Sequence, residues 1–285
     1  MGIAVLGGRR RIFRPEAPPS GSVTPFLTED FSTYSSMADL LSDPRSIYKA
    51  SEQLTPEQMA LNTTFGYGSS PQCLEYIFPD RTADGDRCTD YSISLSTIFP
   101  NDGNIQEVWV EVAIKTTVGF LTQAPASWGC SSGQGYKLLD LNVDPGDRFS
   151  IGLLTGDNPP ITGQMWFGYP DNITDEDAKV DFTDPRLTSF NAVDGGWHVY
   201  KIHGKISTGY PGAPNADGIL QGWIDGVLVV NKTNIVTTSA PNNTNVPPSQ
   251  FTFLSLGRNI NQGPAVQQSL YRGLIKIYGT DPGWT

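Results

Sequence analysis

Trp197-His198-Val199-Tyr200-Lys201-Ile202-His203-Gly204-Lys205-Ile206, then Gly218 to Asp225, then Asp225-Gly226 leading into Val227-Leu228-Val229-Val230: this region decides the fold. Asp-Gly between two apolar, β-branched runs signals a hairpin, because a type I′ turn needs positive φ at both central residues and these two types tolerate it. The region therefore reads as three antiparallel strands in succession. Side chains alternate with period two, which sets Leu220, Ile224, Val227 and Val229 on one face and Gln221, Trp223 and Leu228 on the other. One face is apolar. The other places a Trp beside polar groups, as a sugar-stacking surface does and as a Trp covering a sheet edge also does.

Outward from there the same period recurs. Val108-Trp109-Val110-Glu111-Val112-Ala113-Ile114-Lys115 is the clearest alternation in the chain, with Val108, Val110, Val112 and Ile114 inward and Trp109, Glu111 and Lys115 on the opposite face. Further strands are expected at 26–31, 73–78, 88–99, 136–143, 149–155, 163–168, 251–256 and 270–278, about eleven or twelve in all, which suits two packed sheets. Two short helices are expected. One covers Ser36 to Leu41, with Ser36 near its cap and Asp43-Pro44 ending it; the other starts at the capping box Thr55-Pro56-Glu57-Gln58. With 30 Gly and 22 Pro among 285 residues and no long helical period, the class is all-β. A single large sandwich over residues 26–285 follows, preceded by an extended Pro/Gly-rich basic arm over 1–25.

Charge divides along the same boundary. The chain carries −10 overall, while Arg9, Arg10, Arg11 and Arg14 precede the first acid, so the remainder carries −14. An acidic globular part argues against nucleic-acid binding and leaves the four arginines as a docking arm for another protein. The apolar run near Met1 is short and its arginines follow rather than precede it, unlike a secretory signal. No run of about 18 apolar residues exists to span a membrane. Cys73, Cys88 and Cys130 are odd in number and lack ligand spacing, so neither a disulfide framework nor a zinc site is expected.

The pattern Ala216-Asp217-Gly218-Ile219-Leu220-Gln221-Gly222-Trp223-Ile224-Asp225-Gly226, with Trp197-His198 opening a strand and Ile277-Tyr278-Gly279 closing the last one, resembles the concanavalin A-like, laminin-G-like jelly rolls. Legume-type lectins and several polysaccharide lyases share that architecture. The resemblance implies a two-sheet antiparallel jelly-roll sandwich. A second resemblance, to virion proteins of tailed bacteriophages, rests on Thr28 to Leu40, Leu256 to Pro264 and Asp281-Pro282-Gly283-Trp284. It implies a capsid decoration or surface-attached component, assembled as part of an oligomer on the virion. The arm would then contact partners such as the major capsid protein, and a host-surface glycan would meet the displayed face.

A lyase of this fold needs an acid and a base, usually Tyr or His, and a group that neutralises the uronate carboxylate. His198 and His203 lie five apart on one strand and point to opposite faces, so they cannot pair; His198 falls with Tyr200 and Ile202 as core, His203 with Lys201 and Lys205 as a solvated cationic strip. The Arg-x-Glu-x-Arg and Gln-x-His signatures of alginate-type lyases are absent, and the closing strand lacks their Tyr-x-Lys order. Glu111, the strand acid of the displayed face, has no evident partner for glycoside hydrolysis. The loop acids at 80–90 and 171–184 offer calcium ligands without EF-hand spacing, and no cofactor is expected. The function that the second resemblance implies is a virion structural protein, with Trp109, Lys201, His203, Trp223 and Arg258 as the residues expected to bind any glycan; the alternatives are a lyase acting on a uronate-containing polymer and a soluble carbohydrate-binding module.

Overall fold

The computed structural model describes residues 23–47, 59–78, 91–99, 105–120, 136–144, 147–153, 165–168, 190–208, 215–237, 250–256 and 266–284. The arm arginines Arg9, Arg10, Arg11 and Arg14, Arg258, the capping box at Thr55, Cys88, Cys130 and both acidic loops lie outside the described residues. Among the described residues, fourteen strands and two short helices follow one another: β1 (Leu27–Glu29), α1 (Met37–Ser42), β2 (Ser46–Ile47), β3 (Met59–Asn62), β4 (Cys73–Phe78), β5 (Tyr91–Ser94), α2 (Leu95–Ile98), β6 (Glu107–Thr116), β7 (Tyr136–Asp144), β8 (Asp147–Leu153), β9 (Met165–Gly168), β10 (Trp197–Lys205), β11 (Gly218–Ile224), β12 (Val227–Ile235), β13 (Gln250–Leu256) and β14 (Gln268–Tyr278).

They form two antiparallel sheets. The larger has eight strands in the order β12-β11-β10-β6-β14-β4-β3, with β1 also paired to β14; the smaller has six in the order β2-β5-β13-β7-β8-β9. Non-consecutive neighbours such as β10-β6-β14 are what a jelly roll requires, since strands from distant parts of the chain interleave. The fold is the expected jelly-roll β-sandwich. Between the sheets, Val108, Val110, Val112 and Ile114 of β6 meet Leu141, Phe149, Phe251 and Leu254 in one core, as the alternation demanded. Sheet contact is close at Gly204, where a β-carbon would stand 2.9 Å from Phe251 Cζ and 3.6 Å from Leu141 Cδ1.

The three-strand reading of the opening region holds. Asp225 (φ 50°) and Gly226 (φ 82°) both take the left-handed conformation of a type I′ turn. Ser36 caps α1 by accepting from the Asp39 N–H at 3.1 Å. Three expectations need correction. Val227 pairs with the inward Ile224 and so shares its face, yet it is 58% exposed at the start of the edge strand β12 rather than sealed; the register shift between Gly222 and Trp223 then brings Val230 into the core beside Val229. The strand expected to run unbroken to Phe99 stops at Ser94, and Leu95 and Ile98 then bury the same side of a helical turn, an i, i+3 spacing that an apolar run conceals. The strand count rises past twelve because β2 and β3, two and four residues long, carry too little alternation to be seen.

Candidate functional site

The outward face of the larger sheet carries the chemistry, and strand register orders it in rows. In one row Trp223 of β11, Lys201 of β10, Glu111 of β6 and Lys276 of β14 are successive cross-strand partners. Glu111 sits between the two lysines, 3.5 Å from Lys201 Nζ and 3.1 Å from Lys276 Nζ. In the neighbouring row stand Asn231, Gln221, His203, Trp109 and Tyr278. Here Gln221 donates to Asn231 Oδ1 at 2.8 Å, His203 Nδ1 meets Gln221 Oε1 at 2.8 Å, and His203 Nε2 meets Glu107 Oε1 at 2.9 Å. The imidazole lies flat on the Trp109 ring, centroids 4.2 Å apart and planes within 7°. With both nitrogens engaged and 5% of its surface exposed, His203 is a fixed part of the floor rather than a free base.

Aromatic groups rise on both sides of the Lys-Glu-Lys row, toward the two ends of the strands. At one end Tyr67, from the segment after β3, packs its ring edge against Trp197 at 5.3 Å, and Phe65 against Tyr271 at 5.1 Å. Lys115 lies over Phe65 and donates to the Gly195 carbonyl. Both Tyr67 and Trp197 close over Gly273, where β14 shifts register between Arg272 and Leu274 and no side chain could fit beneath them. At the other end Trp284 folds back over the sheet, 5.4 Å from the Trp223 ring, 5.9 Å from Tyr278 and 4.9 Å from Lys201 Nζ. The result is a polar floor flanked by rings.

Electrostatics mark the phenols. Burial and then the Glu111 charge push Tyr278 up to about 12, and the same two causes, with Asp225 added, raise Tyr67. Both stay protonated at neutral pH and are therefore proton donors. Lys201 and Lys276 can offer cations to an incoming carboxylate, since each shares one acid. No cluster able to hold a metal ion occurs among the described residues.

Four of the five sequence-predicted glycan residues, Trp109, Lys201, His203 and Trp223, share this one face. Trp109 and Trp223 are only 7% and 5% exposed, the first covered by His203 and the second by Trp284. The reading of His203 as solvated is thus corrected by a Trp stacked on it. Glu111, for which no partner carboxylate was expected, is held between two lysines. His198 does face inward with Tyr200, yet it is no plain core residue: its nitrogens reach Asp225 at 2.7 Å and Asp194 at 3.1 Å at the sheet's end. Sequence reasoning missed Lys276, Tyr278, Tyr67 and Trp284. Lys276-Ile277-Tyr278 is the Tyr-x-Lys spacing reversed, and period two puts both side chains on one face of β14 whichever comes first, but which face that is depends on the pairing.

The two sheets make a jelly-roll sandwich, an architecture also found in solved polysaccharide lyases. The sequence matches no protein-family model and no curated protein. Among solved structures, a PL-14 alginate lyase from Aplysia kurodai superposes with a TM-score of 0.55 at 12% identity, covering 90% of this chain and 99% of its own. Alginate lyase Aly36B in complex with an alginate tetrasaccharide gives 0.54 at 14% identity, covering 90% and 98%. An endo-β-1,4-glucuronan lyase from the fungus Trichoderma reesei gives 0.51 at 12%, covering 92% and 100%. Likeness at such identity is likeness of fold.

Proposed function

We propose that this chain binds a uronate-containing polysaccharide across the outer face of its larger sheet and cleaves it by β-elimination. The observation that carries the reading is the in-register row Lys201-Glu111-Lys276 with the protonated phenols of Tyr67 and Tyr278 about it. The named structural neighbours act on alginate and glucuronan, both acidic polymers, which supports the same substrate class here. They favour this over the virion role, for which the likeness at the two chain ends has no counterpart among them.

In the elimination, Lys201 and Lys276 pair with the uronate carboxylate and stabilise the charge that develops when its α-proton leaves. Glu111 takes that proton. The electron pair forms the new carbon–carbon double bond, the bond to the leaving oxygen breaks, and a phenol of Tyr278 or Tyr67 protonates that oxygen. The chain's net −10 opposes unspecific adhesion of polyanions, so binding depends on the cations of this face. The test incubates the protein with alginate, glucuronan and neutral cellulose, following the ultraviolet band of the unsaturated product and retention on immobilised polymer. Product from an acidic polymer alone is expected; Glu111→Gln abolishes product while retention persists or tightens, and joint Lys201→Ala and Lys276→Ala removes both. Retention without product would make the protein a binding module, and neither would refute the reading.

A further inference from the structure

We infer that Trp284 occupies a sugar seat of this groove, so that the polysaccharide must displace it to reach Trp223; this rests on the function proposed above. Trp223 stands on the outward face at the end of the Lys-Glu-Lys row, in register with Lys201. A ring there is placed to stack on a sugar whose carboxylate meets the lysine. Yet it is 5% exposed, because Trp284 lies against it and against Tyr278, with the Lys201 ammonium over the Trp284 ring.

The seat fits its occupant imperfectly. Trp223 Nε1–H is buried with no hydrogen-bond partner among the described residues, a polar donor that a sugar hydroxyl satisfies and an indole ring does not. Trp284 also holds Lys201, a cation the uronate needs. Its tether is light. Residues 281–284 join no strand, and the turn that aims Trp284 is set by Gly283, at φ 79°, whose N–H donates to Asp281 Oδ1 at 2.8 Å. Trp284 is therefore an internal competitor, and the affinity for a uronate chain is reduced by the fraction of molecules in which it is seated.

The experiment measures equilibrium binding of alginate and glucuronan tetrasaccharides to the full chain carrying Trp284→Ala, beside the unaltered protein. A seat filled about nine-tenths of the time implies a fall in Kd of about tenfold on substitution. Gly283→Val, which retains the indole but strains the turn, is the second variant and shifts Kd the same way. An unchanged Kd, or one raised in both variants as expected of a sugar platform, overturns the inference while leaving the proposed function standing. If neither protein binds either oligosaccharide, the function itself fails and the seat fails with it.

Discussion

His198 ties three parts of the chain together at the end of the sheet. Its ring joins Asp225 of the β11-β12 turn to Asp194 of the segment before β10, and Phe190 packs on it edge-on at 4.7 Å. Burial lowers its affinity for a proton, but the hydrogen bonds and charges of Asp225 and Asp194 outweigh burial and raise its pKa; the backbone N–H of Gly196 and the imidazole hold Asp194 low. A histidine held high in the fold stabilises fully below its unfolded value of about 6.5 and loses that contribution as pH climbs through the folded value. Asp194, held low, contributes above its unfolded value of about 3.9 and loses it in acid. The clamp is hence strongest between about pH 4 and 6.5. The melting temperature is expected to fall as pH rises from that window toward 8, and His198→Gln to flatten that slope; an equally steep slope in the variant would show that other groups set it.

At the level of elements, β14 decides where the groove wall stands. The shift at Gly273 changes the phase of the strand, so that Tyr271 on one side of it and Lys276 and Tyr278 on the other all face outward, while Arg272, Ile275 and Ile277 face the core. Tyr67 and Trp197 then settle onto the bare backbone of Gly273, where an added β-carbon would stand 2.8 Å from the Trp197 ring. Gly273→Ala is expected to cost about 1–3 kcal/mol by overpacking. It should also lower cleavage of acidic polymer by displacing Tyr67, measured as denaturant midpoint and product rate together; wild-type values of both would mean that the wall yields freely. The same strand shows how far the sequence could be read. Where alternation ran unbroken, as in β6, it placed every inward valine correctly, and Asp225-Gly226 declared its own turn. Across the shift in β14 two phases abut, so Lys276 and Tyr278 could not be aligned with Lys201 and Glu111 until pairing was known. Tyr67 and Trp284 arrive from segments without period, and only tertiary packing brings them to the face.

For the molecule as a whole, the spacing of the two sheets is the controlling dimension. Gly204 lies on the core side of β10 directly beneath His203's neighbourhood, and Phe251 of the opposite sheet fills the space its missing side chain leaves. Gly204→Val is expected to wedge the sheets apart at a cost of about 1–3 kcal/mol, read as a lower denaturant midpoint. Loss of polymer retention should accompany the change, since Lys201 and His203 ride on the same strand. A destabilised variant that retained polymer normally would show the two faces of β10 to be mechanically uncoupled.

The division of each strand into a sealed and a displayed side means that the fold asks little of particular letters. Inward positions demand only an apolar side chain of suitable bulk, which Val, Ile, Leu and Phe supply interchangeably, while outward positions leave the sheet's backbone pairing untouched. Two chains can therefore coincide at about one residue in eight, the 12% seen with two lyases of this architecture, and still trace the same path through space. The order of strands is a coarser text than the order of residues, and many spellings write it.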